Sequence, residues 1–126
     1  MPPHPFALAL DAPLTATDPI AAHKLIQGTP KAGTLAAFTN DEQGFHVGQW
    51  TSEKGSWRVD YSEDELCVIL EGSGRLIGDD GSELPFQKGS AFVIPRGFKG
   101  VWETVEPVRK ISAIAEERPG RVIFSS

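Results

Sequence analysis

From Thr34 onward the chain is a succession of short apolar or alternating runs, each closed by turn-forming residues. The runs cover residues 34–39, 45–50, 57–61, 65–71, 74–78, 90–94, 101–105 and 108–115. Between them lie Asn40-Asp41-Glu42-Gln43-Gly44, Glu53-Lys54-Gly55, Gly72-Ser73-Gly74, Asp79-Asp80-Gly81, Lys88-Gly89 and Pro95-Arg96-Gly97. Strands this short at such regular spacing predict an all-β sandwich or barrel rather than βαβ units. Asp80-Gly81 between two runs predicts a tight hairpin, because such turns need a positive φ that glycine adopts freely. The first part of the chain differs. Asp18-Pro19, then residues 20–26, then Gly28 reads as a short helix with an Asp cap, Pro in its first turn and Gly past its end. Residues 1–33 are therefore an N-terminal arm with a short helix, and 34–126 the β-barrel, in one domain overall.

Composition narrows the function classes. With 126 residues, 40% hydrophobic and 23% charged, the chain can bury a core as a single domain. A net charge of −5, with Lys and Arg dispersed, argues against nucleic acid and anionic membrane as partners. The single cysteine, Cys67, excludes an internal disulfide framework and fits a reducing compartment. Residues 1–10 lack Lys and Arg, and the apolar stretch 6–10 is too short for an export signal or a membrane span. The expected location is the cytoplasm.

Two segments decide between sandwich and barrel. In the first, Glu65 is followed by six residues and then Gly72; in the second, Gly89 is followed by five residues, Pro95, one residue and Gly97. Together they resemble the two cupin motifs, G-x5-H-x-H-x3–4-E-x6-G and G-x5-P-x-G-x2-H-x3-N. Each glycine is expected where a strand end turns sharply and a Cβ would clash. The run Glu65-Leu66-Cys67, with Pro95-x-Gly97-Phe98-x-Gly100-x-Trp102 and residues 106–110, is similar to one subgroup of small cupins. That subgroup includes the cupin domains of (S)-ureidoglycine aminohydrolase and of ethanolamine-utilisation proteins, and Trp50 and Gly55-Ser56-Trp57 fit its strand before the first motif. The likeness covers roughly residues 34–115. It implies a cupin double-stranded β-helix, the RmlC-like jelly-roll barrel.

The resemblance also implies where a metal would sit. Metal-binding cupins hold a divalent ion with two His and a Glu from the first motif and a His from the second. Here the first-motif His positions fall on Val59 and Tyr61, or on Arg58 and Asp60 with the longer spacing. The second-motif His falls on Gly100, and the Asn on Thr104. Only Glu65 keeps its ligand identity. His4 and His23 are expected at the surface and His46 as a partly buried structural residue. No metal and no other cofactor is expected, since one carboxylate cannot hold a transition metal tightly.

If the family's ligand positions point inward, strand alternation carries others with them. Trp57, Val59 and Tyr61 share the interior with Glu65, Cys67 and Ile69, and with Gly100, Trp102 and Thr104. Lys110 and Ser112 join them if the last strand keeps the same phase. The candidate ligand-binding residues are Trp57, Val59, Tyr61, Glu65, Cys67, Trp102 and Lys110. A barrel carboxylate needs a partner, and Lys110 is the best candidate. The two readings are a structural ion pair inside an aromatic core, or a pocket where the charges orient a small polar metabolite. Cys67 reads as a small buried hydrophobe, and Arg109 and residues 116–118 as solvated charges. The functional expectation is a metal-free cupin that binds a small polar metabolite. The alternative is an enzyme of the aminohydrolase-like group acting on a small nitrogen-containing metabolite, with Lys110 as acid, base or electrostatic stabiliser. The resemblance further implies a homodimer.

Overall fold

The computed structural model describes residues 3–117. Among them, nine strands follow in chain order: β1 (Asp18–Pro19), β2 (Leu25–Gln27), β3 (Lys31–Asn40), β4 (Phe45–Ser52), β5 (Gly55–Asp60), β6 (Asp64–Gly78), β7 (Glu83–Gln87), β8 (Ala91–Ile94) and β9 (Lys99–Ala115). All pairings are antiparallel. β9 runs beside β6 for most of its length. Its other edge forks: residues Lys99 to Thr104 pair with β5, and Val108 to Ala115 with β4. β6 forks in the same manner, first on β8 and then on β7. β3 extends β4, β1 extends β3, and β2 flanks β5. A sheet whose two longest strands each serve two neighbours must bend at the forks, and the bend closes it into the predicted barrel.

Strand alternation then sorts side chains into inside and outside. On β6, Glu65, Cys67 and Ile69 are buried while Asp64 and Leu66 are exposed. On β9, Gly100, Trp102, Thr104, Val108, Lys110 and Ser112 are buried on one continuous phase. The apolar core joins Trp57, Ile69, Leu76, Phe86, Ile94, Trp102 and Val108. Its polar atoms are satisfied: the Trp102 indole N–H donates to Thr104 Oγ1 at 2.9 Å, and that hydroxyl bonds Ser52 Oγ at 2.6 Å.

Several predicted boundaries change. The N-terminal helix contracts to one 3-10 turn, Ala22–Lys24. Asp18 and Pro19, read as its cap and first turn, instead pair with Ala32 and Lys31, and Leu25 pairs with Trp57. A two-turn helix is marginal alone, and open sheet edges offer these residues backbone partners. The break predicted at Gly72-Ser73-Gly74 is an irregular stretch inside β6, and the gap between the last two predicted runs lies inside β9. There Gly72 has φ +87°, and a Cβ on it would lie 2.0 Å from the Pro107 carbonyl oxygen, as expected of a motif glycine. Gly89 and Gly97 differ, since a Cβ on either would meet open space. β7 went unpredicted because Pro85 interrupts its pattern; it pairs with β6 alone, and a sheet edge tolerates proline. The Asp80-Gly81 hairpin is present, closed by a bond from Gly81 N–H to the Gly78 carbonyl.

The arm before β1 lies over the outside of the barrel. The Ala9 carbonyl accepts from Gln49 Nε2 at 2.9 Å, and Phe6 stacks near Phe38 at 5.9 Å between ring centroids. Among the described residues, no helix is long and apolar enough to cross a membrane.

Candidate functional site

Inside the barrel, between β3, β4, β5 and the later part of β9, lies a cavity of about 340 Å³. Its walls are mainly aromatic and aliphatic: Trp50, Trp57, Trp102, Tyr61, Val59, Ile20 and Ile114. Trp50 meets Trp102 edge-on at 5.4 Å between centroids and lies 6.0 Å from Trp57. Such tilted and edge-on contacts are the favourable geometry for indole pairs.

A polar cluster is set into this wall, and the forked strand assembles it. Lys110 stands on β9 between Trp50 on β4 and Ile69 on β6; Ser112 stands between Gly48 and Cys67. Lys110 Nζ donates to Glu65 Oε2 at 2.6 Å and lies 3.5 Å from Cys67 Sγ. It also sits 4.8 and 4.6 Å from the ring centroids of Trp50 and Trp102, within cation–π range. Cys67 Sγ–H and Ser112 Oγ–H donate to the same Glu65 oxygen at 2.9 and 3.3 Å. Glu65 Oε1 accepts no hydrogen bond among the described residues. Lys110 is 5% and Glu65 8% exposed, so the pair is desolvated and must be satisfied from within.

The neighbouring acids are held neutral. Burial pushes the Cys67 thiol up to about 12, with the Glu65 charge adding to it and Lys110 opposing it. The Tyr61 phenol is raised by burial first and then by Glu65. At neutral pH the site offers a thiol and a phenol, not their anions.

Six of the seven candidate residues line the cavity: Trp57, Val59, Tyr61, Glu65, Trp102 and Lys110. Cys67 does not; it is fully buried and reaches the site only through its bond to Glu65. Trp50 lines the cavity although alternation was not extended to it, and His46 is half-buried as expected. Both lie on the inward face of β4, and His46 lines the cavity while bonded to Glu116. Extending the alternation from Trp50 back through Gly48 to His46 finds both. His4 and His23 are exposed, as expected. The charges read as solvated include exceptions. Glu116 bonds His46, and Arg109 is half-buried, with Nε on Gln49 Oε1 at 2.9 Å and an enclosed, unpartnered Nη2. Arg118 lies outside the described residues.

The fold family raises the question of a divalent metal, and the donors answer it. Arg58 turns outward and binds Asp79 with Nη1 at 2.8 Å, while Val59 and Tyr61 face the cavity. A Cβ on Gly100 would lie 2.1 Å from the Ile77 carbonyl oxygen, so the second-motif position cannot carry a ligand without moving backbone. Glu65 already holds an ammonium. Among the described residues no three His, Cys, Asp or Glu side chains converge. This donor set does not suit a transition metal.

Comparison with known proteins agrees with the barrel. No curated protein sequence is similar to the chain. The EutQ protein of Clostridium difficile superposes with a TM-score of 0.61 at 21% identity, covering 68% of this chain and 63% of its own. A putative ethanolamine utilization protein Q of Salmonella typhimurium LT2 gives 0.62 at 19%, covering 70% and 72%. A DUF861-family protein of Pseudomonas syringae pv. tomato gives 0.77 at 24%, covering 86% of this chain but 46% of its own. The chain thus spans less than two thirds of the first and third of these proteins. At such identities the likeness concerns the fold. The family model described as the EutQ-like cupin domain matches residues 39–111, more than half of the sequence, and the chain belongs to that family of cupins.

Proposed function

We propose that the protein binds a small metabolite inside the barrel, enclosed by the aromatic walls and oriented by Glu65 and Lys110, without a divalent metal. One observation carries this reading: a half-open cavity of about 340 Å³ is lined by all three tryptophans, with Glu65 and Lys110 in its wall. Ligand sites typically span about 300–1,000 Å³. An apolar cavity with a few convergent polar groups is the usual form of a metabolite site. The ammonium of Lys110, against Glu65, supplies the positive charge that a metal supplies in other cupins, which supports the metal-free part. A cytoplasmic location and pairing of two copies belong to the same proposal. The exposed outer-face residues Leu66 and Val93 favour such pairing.

Hydrolysis of a nitrogen-containing metabolite, drawn from the aminohydrolase likeness, gains no support from the site. Its only thiol is sealed behind Glu65 and kept protonated. The test is a thermal-shift screen of a metabolite library on protein treated with chelator. At least one compound is expected to raise the melting temperature, and Lys110→Met, checked for folding by circular dichroism, should change the size of that shift. A full library without a hit, or hits indifferent to Lys110→Met, would move function away from the barrel. A stoichiometric divalent ion found by elemental analysis would overturn the metal-free part.

A further inference from the structure

We propose that the cavity selects neutral, ring-shaped compounds carrying a hydroxyl or N–H donor and turns away small ions of either sign. This rests on the ligand-binding reading above and names the class of ligand. The charges near the cavity are already matched. Lys110 Nζ lies 2.6 Å from Glu65, and the other carboxylate beside the lining, Glu116, is bonded to His46 and 35% exposed to water. The near neighbours of the Lys110 ammonium are Glu65, Cys67 and two indole rings, so it orients a guest chiefly through the carboxylate it holds. Tyr61 stays a neutral phenol, its ionisation suppressed by burial.

What stays open is one atom. Three donors crowd Glu65 Oε2, and none among the described residues reaches Oε1. A carboxylate oxygen accepts and cannot donate, so it calls for a donor. An ammonium guest would set a second cation on one carboxylate, beside Lys110. A carboxylate guest would set its charge against Glu65 while Lys110 is engaged. Either leaves a net charge inside a wall of indole and aliphatic carbon, where burial penalises it most. A hydroxyl or N–H satisfies Oε1 and leaves the charge balance intact. The ring that carries it then rests against Trp50, Trp57 and Trp102.

The experiment uses the chain's own reporters, since all three of its tryptophans line the cavity. Intrinsic fluorescence, excited at the red edge, is titrated at neutral pH with benzyl alcohol, benzylamine, benzoate and toluene. Benzyl alcohol is expected to bind about tenfold or more tightly than either ion, and a few-fold more tightly than toluene. Glu65→Gln should shift the preference toward benzoate, and Lys110→Met toward benzylamine. The wild-type series stands by itself if either variant fails to fold. Benzoate or benzylamine binding as tightly as the alcohol overturns the neutral-ligand proposal while the pocket survives. Toluene matching the alcohol overturns the donor requirement. No response to any of the four, up to their solubility, counts against a binding cavity altogether and removes the proposal with it.

Discussion

Glu65 Oε2 gathers Lys110, Cys67 and Ser112 within 3.3 Å, and this crowding explains why three polar side chains survive in a barrel core. Each would be costly alone; together they satisfy one another. Cys67 gives the group a pH signature. Its folded value of about 12 lies above the thiol's ordinary 9.0, so the unfolded chain releases the proton first as pH rises. The stability linked to Cys67 is complete below about pH 9 and is lost progressively toward about pH 12. The urea midpoint should therefore fall across this range, and Cys67→Ala should flatten the fall; an equally steep decline in that variant would assign the effect elsewhere. Much of this cluster was legible from sequence, because Glu65, Cys67 and Ile69 alternate cleanly on one strand. Their meeting with Lys110 was only a guess, since it joins residues 45 apart in sequence. No local pattern encodes the route β9 takes past β6.

At the scale of elements, the motif glycines separate two physical causes that look identical in sequence. Gly72 and Gly89 both have positive φ, +87° and +90°. Only Gly72 also faces backbone, with Pro107 oxygen 2.0 Å from a would-be Cβ; Gly89 faces open space. Alanine at Gly89 should cost about 1 kcal/mol for its backbone conformation. At Gly72 the clash adds to that, for a total of about 3 kcal/mol or more. Equilibrium urea unfolding of the two variants measures the difference, and equal losses would show that the clash is relieved by movement of β9. The same irregularity misled the sequence reading, which took Gly72-Ser73-Gly74 for a loop. Turn residues mark a loop and a kink inside a strand alike, and only pairing with β9 tells them apart. The short helix contracted to one turn for a related reason: Asp18 and Pro19 are helix signals, but neighbouring strands compete for the same backbone groups.

At the scale of the whole molecule, β9 is the strand on which β4, β5 and β6 all pair. Its first part carries Trp102 beside Trp57, and its later part carries Lys110 beside Trp50. Loss of β9 therefore removes the support of both sides at once. Urea unfolding followed by tryptophan fluorescence and by far-ultraviolet circular dichroism should give one coincident transition. Midpoints that separate would mean that the β4 and β5 sides melt independently. The overall barrel was legible because two glycine-bearing motifs stand in the right order, whereas the pocket was one of two readings, since alternation names inward residues but not the space between them. The shared strand also sets an order in time. A ribosome adding about 5–20 residues per second finishes β4 and β5 some seconds before it reaches β9. Through those seconds both strands wait with bare backbone edges turned to whatever else the cell contains. The hazard of wrong partnership belongs to that interval, before there is any barrel to hold a guest.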